Sequence, residues 1–85
     1  MIIEISAIWC NSCLVMKKVW KSVKEEYQNI KWKSLDLDFD EAESKYQNLE
    51  KLPVLIFEKN GKEVSRLVGE KKKEEVIKWI EQNLV

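Results

Sequence analysis

Hydrophobic and polar positions alternate over residues 2–7, IIEISA, with Ile3, Ile5 and Ala7 on one side and Ile2, Glu4 and Ser6 on the other. That two-residue period and the β-branched content predict a strand. From Asn11 to about Gln28 the period lengthens. Met16, Val19, Trp20, Val23 and Tyr27 recur at three- and four-residue intervals between lysines and glutamates, which predicts an amphipathic helix. Residues 30–37, IKWKSLDL, return to a strand pattern. Residues 38–51, DFDEAESKYQNLEK, open on acids that favour a helix N-terminus, and Ala42, Tyr46 and Leu49 form a helical stripe. Residues 52–69 hold two apolar runs joined through Asn60-Gly61, the dipeptide a type I′ hairpin turn prefers. Residues 71–84 predict a closing helix with Val76, Ile77, Ile80 and Leu84 inward.

The predicted order is βαβαββα, an α/β fold class, in a single domain over residues 1–85. A right-handed βαβ unit makes the first two strands parallel, and the hairpin adds antiparallel strands. The result is a four-stranded mixed sheet with helices on both faces. Strand 30–37 belongs at the sheet's edge, where Lys31 and Lys33 discourage pairing with another chain.

Charge narrows the partners. The chain has 15 basic and 15 acidic residues, whereas nucleic acid or an anionic membrane calls for a basic excess. The one dense basic run, Lys71-Lys72-Lys73, is followed at once by Glu74-Glu75 and reads as the solvated start of a helix. No apolar stretch approaches the ~20 residues that span a bilayer. The opening MIIEIS has neither a basic leader nor a cleavage site, so a cytoplasmic, monomeric protein is expected.

The chemistry concentrates in AIWCNSC, residues 7–13, which contains both cysteines of the chain. A structural zinc site wants four cysteine or histidine ligands, and there are two cysteines and no histidine. A structural disulfide would close too short a loop to remove much unfolded-state entropy. A redox couple has a physical rationale. Cys10 falls where strand meets helix, and the unpaired N–H groups and dipole of a helix N-terminus favour a thiolate. Cys13, one turn on, lies beneath it, so one sulfur can attack a disulfide and the other resolve the mixed disulfide.

With these residues in place, the sequence resembles the thioredoxin family over nearly its whole length. Trp9-Cys10-Asn11-Ser12-Cys13 stands where thioredoxins carry W-C-G-P-C, and residues 52–69, LPVLIFEKNGKEVSRLVG, are similar to the family's proline-led hairpin ending in V-G. The resemblance implies a thioredoxin-like fold and a protein-disulfide oxidoreductase with no cofactor beyond the redox-active Cys10–Cys13 disulfide. Cys10 would be the nucleophile and Cys13 the resolving thiol. Pro53 would be a cis-proline beside the disulfide, with the Leu52 backbone pairing an extended substrate. Trp9 would shield the sulfurs and join Asn11 and Ser12 in the docking surface. Gly69 would let a partner's backbone approach. Substrates would be disulfide-containing proteins, and electrons would come from a thioredoxin reductase. A glutaredoxin-like protein coupled to a small thiol is the alternative, weakened by the absence of C-P-Y-C and T-V-P motifs. A redox-idle binding module is another, weakened by the intact C-x-x-C.

The departures from the family pattern matter. The family's additional first strand and helix are not represented before Ile2. Asn11-Ser12 replaces Gly-Pro; Ser12 supplies an amide and a hydroxyl that proline lacks, and a contact from either to the Cys10 thiolate would make the couple more oxidising. Lys18 stands where the family has a helix proline, so a straight helix is expected. The family's buried aspartate corresponds to Glu4. If helices cover both sheet faces, Glu4 points inward below the cysteines, where desolvation would raise its pKa and prepare it to accept a proton from Cys13. The family's lysine partner for this acid matches Ser34, and Lys33 faces the other way, so the usual counter-charge is expected to be missing.

Overall fold

The computed structural model describes residues 1–39, 46, 49 and 51–84. Its described elements are β1 (Ile2–Ser6), α1 (Asn11–Glu26), β2 (Trp32–Asp36), β3 (Val54–Lys59), β4 (Lys62–Val68) and α2 (Lys73–Leu84). The helix predicted over residues 38–51 lies outside the described residues apart from isolated positions.

The sheet order is β2-β1-β3-β4. β1 pairs in parallel with β2, placing Glu4 opposite Ser34, and antiparallel with β3, placing it opposite Leu55. β2 is an edge strand of this sheet, as expected. Asn60 and Gly61 both take positive φ, 55° and 78°, as the tight β3–β4 turn requires.

Alternation along β1 divides the core in two. Ile2, with Leu55 and Phe57 of β3, packs against Met16, Trp20 and Val23 of α1 and Val76, Trp79 and Ile80 of α2. Both described helices therefore share this face. Ile3 and Ile5 look the other way, into a cluster with Leu35, Val54, Ile56 and Leu49, against which Tyr46 packs. α1 is a continuous 16-residue helix, with its predicted apolar stripe turned inward.

The closing helix departs from the expectation at two places. Leu84 is half exposed, whereas Trp79 is buried, meets Phe57 edge-on at a centroid distance of 5.8 Å and donates its indole N–H to Ser65 Oγ at 2.9 Å. A side chain of that size, three residues after Val76, supplies the inward contact that Leu84 at the helix end does not.

Candidate active site

β1 runs out at Ser6, and a short turn closed by the Cys10 N–H to Ala7 carbonyl bond at 3.1 Å delivers Cys10 to the N-terminus of α1. Cys10 is the helix N-cap: its backbone is extended, and its Sγ accepts the Cys13 N–H at 3.2 Å. The sulfur thus takes one of the amide donors that a helix start leaves unpaired. The first turn holds no acidic side chain to oppose negative charge on that sulfur. Cys10 and Cys13 are joined as a disulfide, their Cα atoms 5.3 Å apart. Cys10 keeps 7% of its surface exposed and Cys13 none, so attack from outside reaches Cys10.

The amide on Cys10 Sγ belongs to Cys13; among the described residues no hydrogen bond joins Ser12 to that sulfur. Asn11 is exposed at the first position of the helix and Ser12 is half buried.

Ala7, Cys10 and Cys13 form a buried cluster with Leu52 and Leu37 packed against it. The Leu52-Pro53 bond is cis, and Pro53 is fully buried. Leu52 lies two residues before Val54, the first residue of β3, outside the sheet ladder. Gly69 has φ of +90° and donates its N–H to the Pro53 carbonyl at 2.8 Å. The end of β4 is thereby tied to the proline turn, which brings Gly69 to Pro53.

Trp9 is 64% exposed, and its indole N–H donates to Asp38 Oδ2 at 2.9 Å. Asp38 is itself positioned from β2, because Asp36 Oδ1 accepts the N–H groups of Asp38 and Phe39 at 2.9 and 3.1 Å. Sequence reasoning assigned the acids from Asp38 onward to a helix start; the acid that takes the first described amides is Asp36. Ile8 and Phe39, 70% and 74% exposed, flank this arrangement in sequence and were not singled out beforehand. An apolar residue next to Trp9 or Asp38 was the available signal.

Glu4 is 4% exposed and faces α1, as the strand alternation predicted. The expectation of a missing counter-charge is corrected. Lys24, in the last turn of α1, places its ammonium on Glu4 Oε1, and Ser34 Oγ donates to the same oxygen at 2.8 Å. The lysine comes from the helix rather than from the edge strand, and Ser34 contributes a hydroxyl where the charge was sought. Neither contact involves Cys13.

Two cavities, of about 360 and 530 Å³, are lined in part by Met1 and Glu58, and none of the predicted site residues lines either. Among the described residues no cluster of three or more metal-ligating side chains occurs, and no helix is long and apolar enough to cross a membrane.

A sequence model described as thioredoxin matches residues 1–82. A thioredoxin of Chlamydia caviae is 32% identical over 82 residues, spanning 96% of this chain and 80% of its own length. The crystal structure of Fasciola hepatica thioredoxin superposes with a TM-score of 0.85 at 26% identity, covering 95% of this chain and 77% of that one. A thioredoxin f2 solved in complex with ferredoxin:thioredoxin reductase gives a TM-score of 0.86 at 24% identity, covering 99% of this chain and 76% of that one.

Proposed function

Because the chain belongs to the thioredoxin family and is a thiol–disulfide oxidoreductase, we propose a division of labour among the residues around its Cys10–Cys13 couple. Cys10 is the attacking thiolate. The observation that carries this assignment is its sulfur on the Cys13 amide at the start of α1, with Cys13 wholly buried behind it. Attack on a substrate disulfide forms a mixed disulfide and releases one substrate thiolate. Cys13 then attacks Cys10 Sγ, closing the internal disulfide and releasing the second thiolate.

The substrate segment lies along the backbone of Leu52, beside Pro53 and Gly69, with Trp9, Asn11 and Ser12 forming the opposite rim. The match to thioredoxins over residues 1–82 favours protein substrates over a small thiol. Glu4 accepts the proton that Cys13 sheds. No cofactor is required, since the disulfide is itself the redox group. A thioredoxin reductase supplies the electrons to a monomeric protein acting in the cytoplasm, in the direction of substrate reduction.

Two measurements test this. Turnover of a protein disulfide such as insulin is compared with a flavin- and NADPH-dependent thioredoxin reductase and with glutathione as donor; the reductase should support it and glutathione should not. Alkylation of the reduced protein at neutral pH should label Cys10 first, its thiolate favoured relative to the ~8.5 pKa of a free thiol. Equal labelling of both cysteines would overturn the assigned roles.

A further inference from the structure

The outer face of α1 carries a charge pattern that the redox step leaves unused. Lys17, Lys18 and Lys21 are all exposed, and none of the three joins an ion pair among the described residues. Lys17 and Lys21 stand four residues apart, and Lys18 and Lys21 three. These spacings make like charges neighbours on a helix surface and cost the helix stability. The helix has no acid in its first turn; Glu25 and Glu26 stand at its far end, where Glu26 is joined to Lys73 at 3.4 Å. A local basic excess therefore stands on a chain whose formal net charge is zero.

Apolar surface adjoins it. Leu14 and Val15, directly after Cys13, are 56% and 54% exposed. By the same three- and four-residue spacings Leu14 neighbours Lys17 and Lys18, and Val15 neighbours Lys18. The basic run 71–73 borders the helix from another element. The Lys71 N–H donates to Met16 Sδ at 3.3 Å, which sets this run against α1 at the level of Val15 and Lys17, with Lys72 exposed. Apolar residues within a charged rim are the anatomy of a protein interface. On the Trp9 side of Cys10 the sign of the charge changes, because Asp38 accepts the indole N–H and Asp36 accepts the Asp38 N–H. The distance from Cys10 to Lys21 along the helix axis is about 16 Å, which about five or six extended residues span.

We propose that Leu14, Val15, Lys17, Lys18 and Lys21 form a docking surface for protein substrates that carry an acidic stretch beside the disulfide to be reduced. This rests on the role proposed for Cys10 and names the class of substrate it meets. Charge complementarity with the lysines draws an acidic flank onto α1, and the aspartates on the other side turn it away from Trp9. A substrate with a basic flank meets repulsion on the same face.

The symmetrical disulfides of three peptides test this, identical except for a tail of six glutamates, six lysines or six serines beside the cysteine. The second-order rate constant for oxidation of the reduced protein by each is measured at ~0.02 M and ~0.5 M salt. At low salt the glutamate peptide should react about tenfold faster than the lysine peptide, with the serine peptide between them. High salt should compress that ratio to below about twofold. Lys17→Gln/Lys18→Gln/Lys21→Gln should abolish the preference, and Lys17→Glu/Lys18→Glu/Lys21→Glu should invert it. Leu14→Ser/Val15→Ser should slow all three peptides by about threefold and leave their order intact. The readout is a ratio within one variant, so a disturbed fold or thiolate moves all three peptides together and leaves the ratio readable. Equal rates for the three peptides would overturn the docking surface while the role of Cys10 stands, and failure to reduce any of them would overturn both. A preference that survives the glutamine variant would place charge recognition elsewhere and overturn the proposal. Equal rates together with self-association at low salt, lost in the glutamine variant, would give this face to a second copy of the chain instead.

Discussion

The Glu4–Lys24 pair makes an asymmetric prediction about stability. Two unit charges about 4 Å apart attract by ~4 kcal/mol at an effective dielectric of ~20, which serves as an upper bound. The Lys24 side chain is 36% exposed against 5% for Glu4, and solvent screening of the lysine reduces the figure to roughly 2 kcal/mol. Lys24→Met withdraws that attraction and leaves a buried carboxylate held by Ser34 alone, so the full loss is felt. In a domain of this size, 2 kcal/mol corresponds to a fall in Tm of roughly 8–16 °C.

Glu4→Gln behaves differently. It leaves a cation that can turn outward to water, and it relieves the desolvation of an anion. A lone buried carboxylate would have made this substitution stabilising. With Lys24 in place, gain and loss offset to within about 1 kcal/mol of zero. The double variant Glu4→Gln/Lys24→Met buries no charge, so it should regain most of what Lys24→Met loses. Urea and thermal unfolding of the parent, both single variants and the double variant close the cycle. Equal losses in the two single variants that simply add in the double would refute the pairing and its asymmetry.

Two further outcomes follow from the site and its flank. Asp38→Ala removes the acceptor of the Trp9 indole N–H; losing one such bond should raise the KM for a protein disulfide by roughly threefold to tenfold, and an unchanged KM would separate Trp9's position from docking. Tyr46 is pushed upward by burial first, then by its hydrogen bond to Glu58 and the charges of Glu58 and Glu63. The unfolded chain therefore releases this proton before the folded one, so Tyr46's stabilisation is complete below about pH 10 and declines as pH rises above it. The stability difference between parent and Tyr46→Phe should shrink between pH 9 and 11 in urea titrations; a difference constant across that range would contradict it.

What was legible in the sequence was whatever a local period determines. The strand-to-helix junction at Cys10 needs only neighbouring residues, and it appears as predicted with the sulfur at the helix N-cap. Glu4's inward direction follows from a two-residue alternation, and the positive φ values at Asn60 and Gly61 follow from the turn type. Trp79 and Leu84 show where this stops. A helical stripe spans an arc, and which residue at its margin turns inward depends on how the sheet beneath is twisted and which strand lies there.

Lys24 is the functional instance of the same limit. In the sequence it is one of four lysines on α1, with Lys17, Lys18 and Lys21. Its one distinguishing mark is its place four residues after Trp20 and directly after Val23, on the border of the buried stripe. A border lysine can lay its stem along apolar surface and deliver its charge inward. Delivery here depends on a buried acid at the right level of β1, and that level is set by strand register and helix docking together. The family's usual position holds Ser34, which brings no charge of its own. The electrostatic requirement of a buried carboxylate is a property of its volume of space, and any element bordering that volume can meet it. Glu4 therefore retains a counter-charge although no lysine stands opposite it on the paired strand, and Ser34 there donates a hydrogen bond instead.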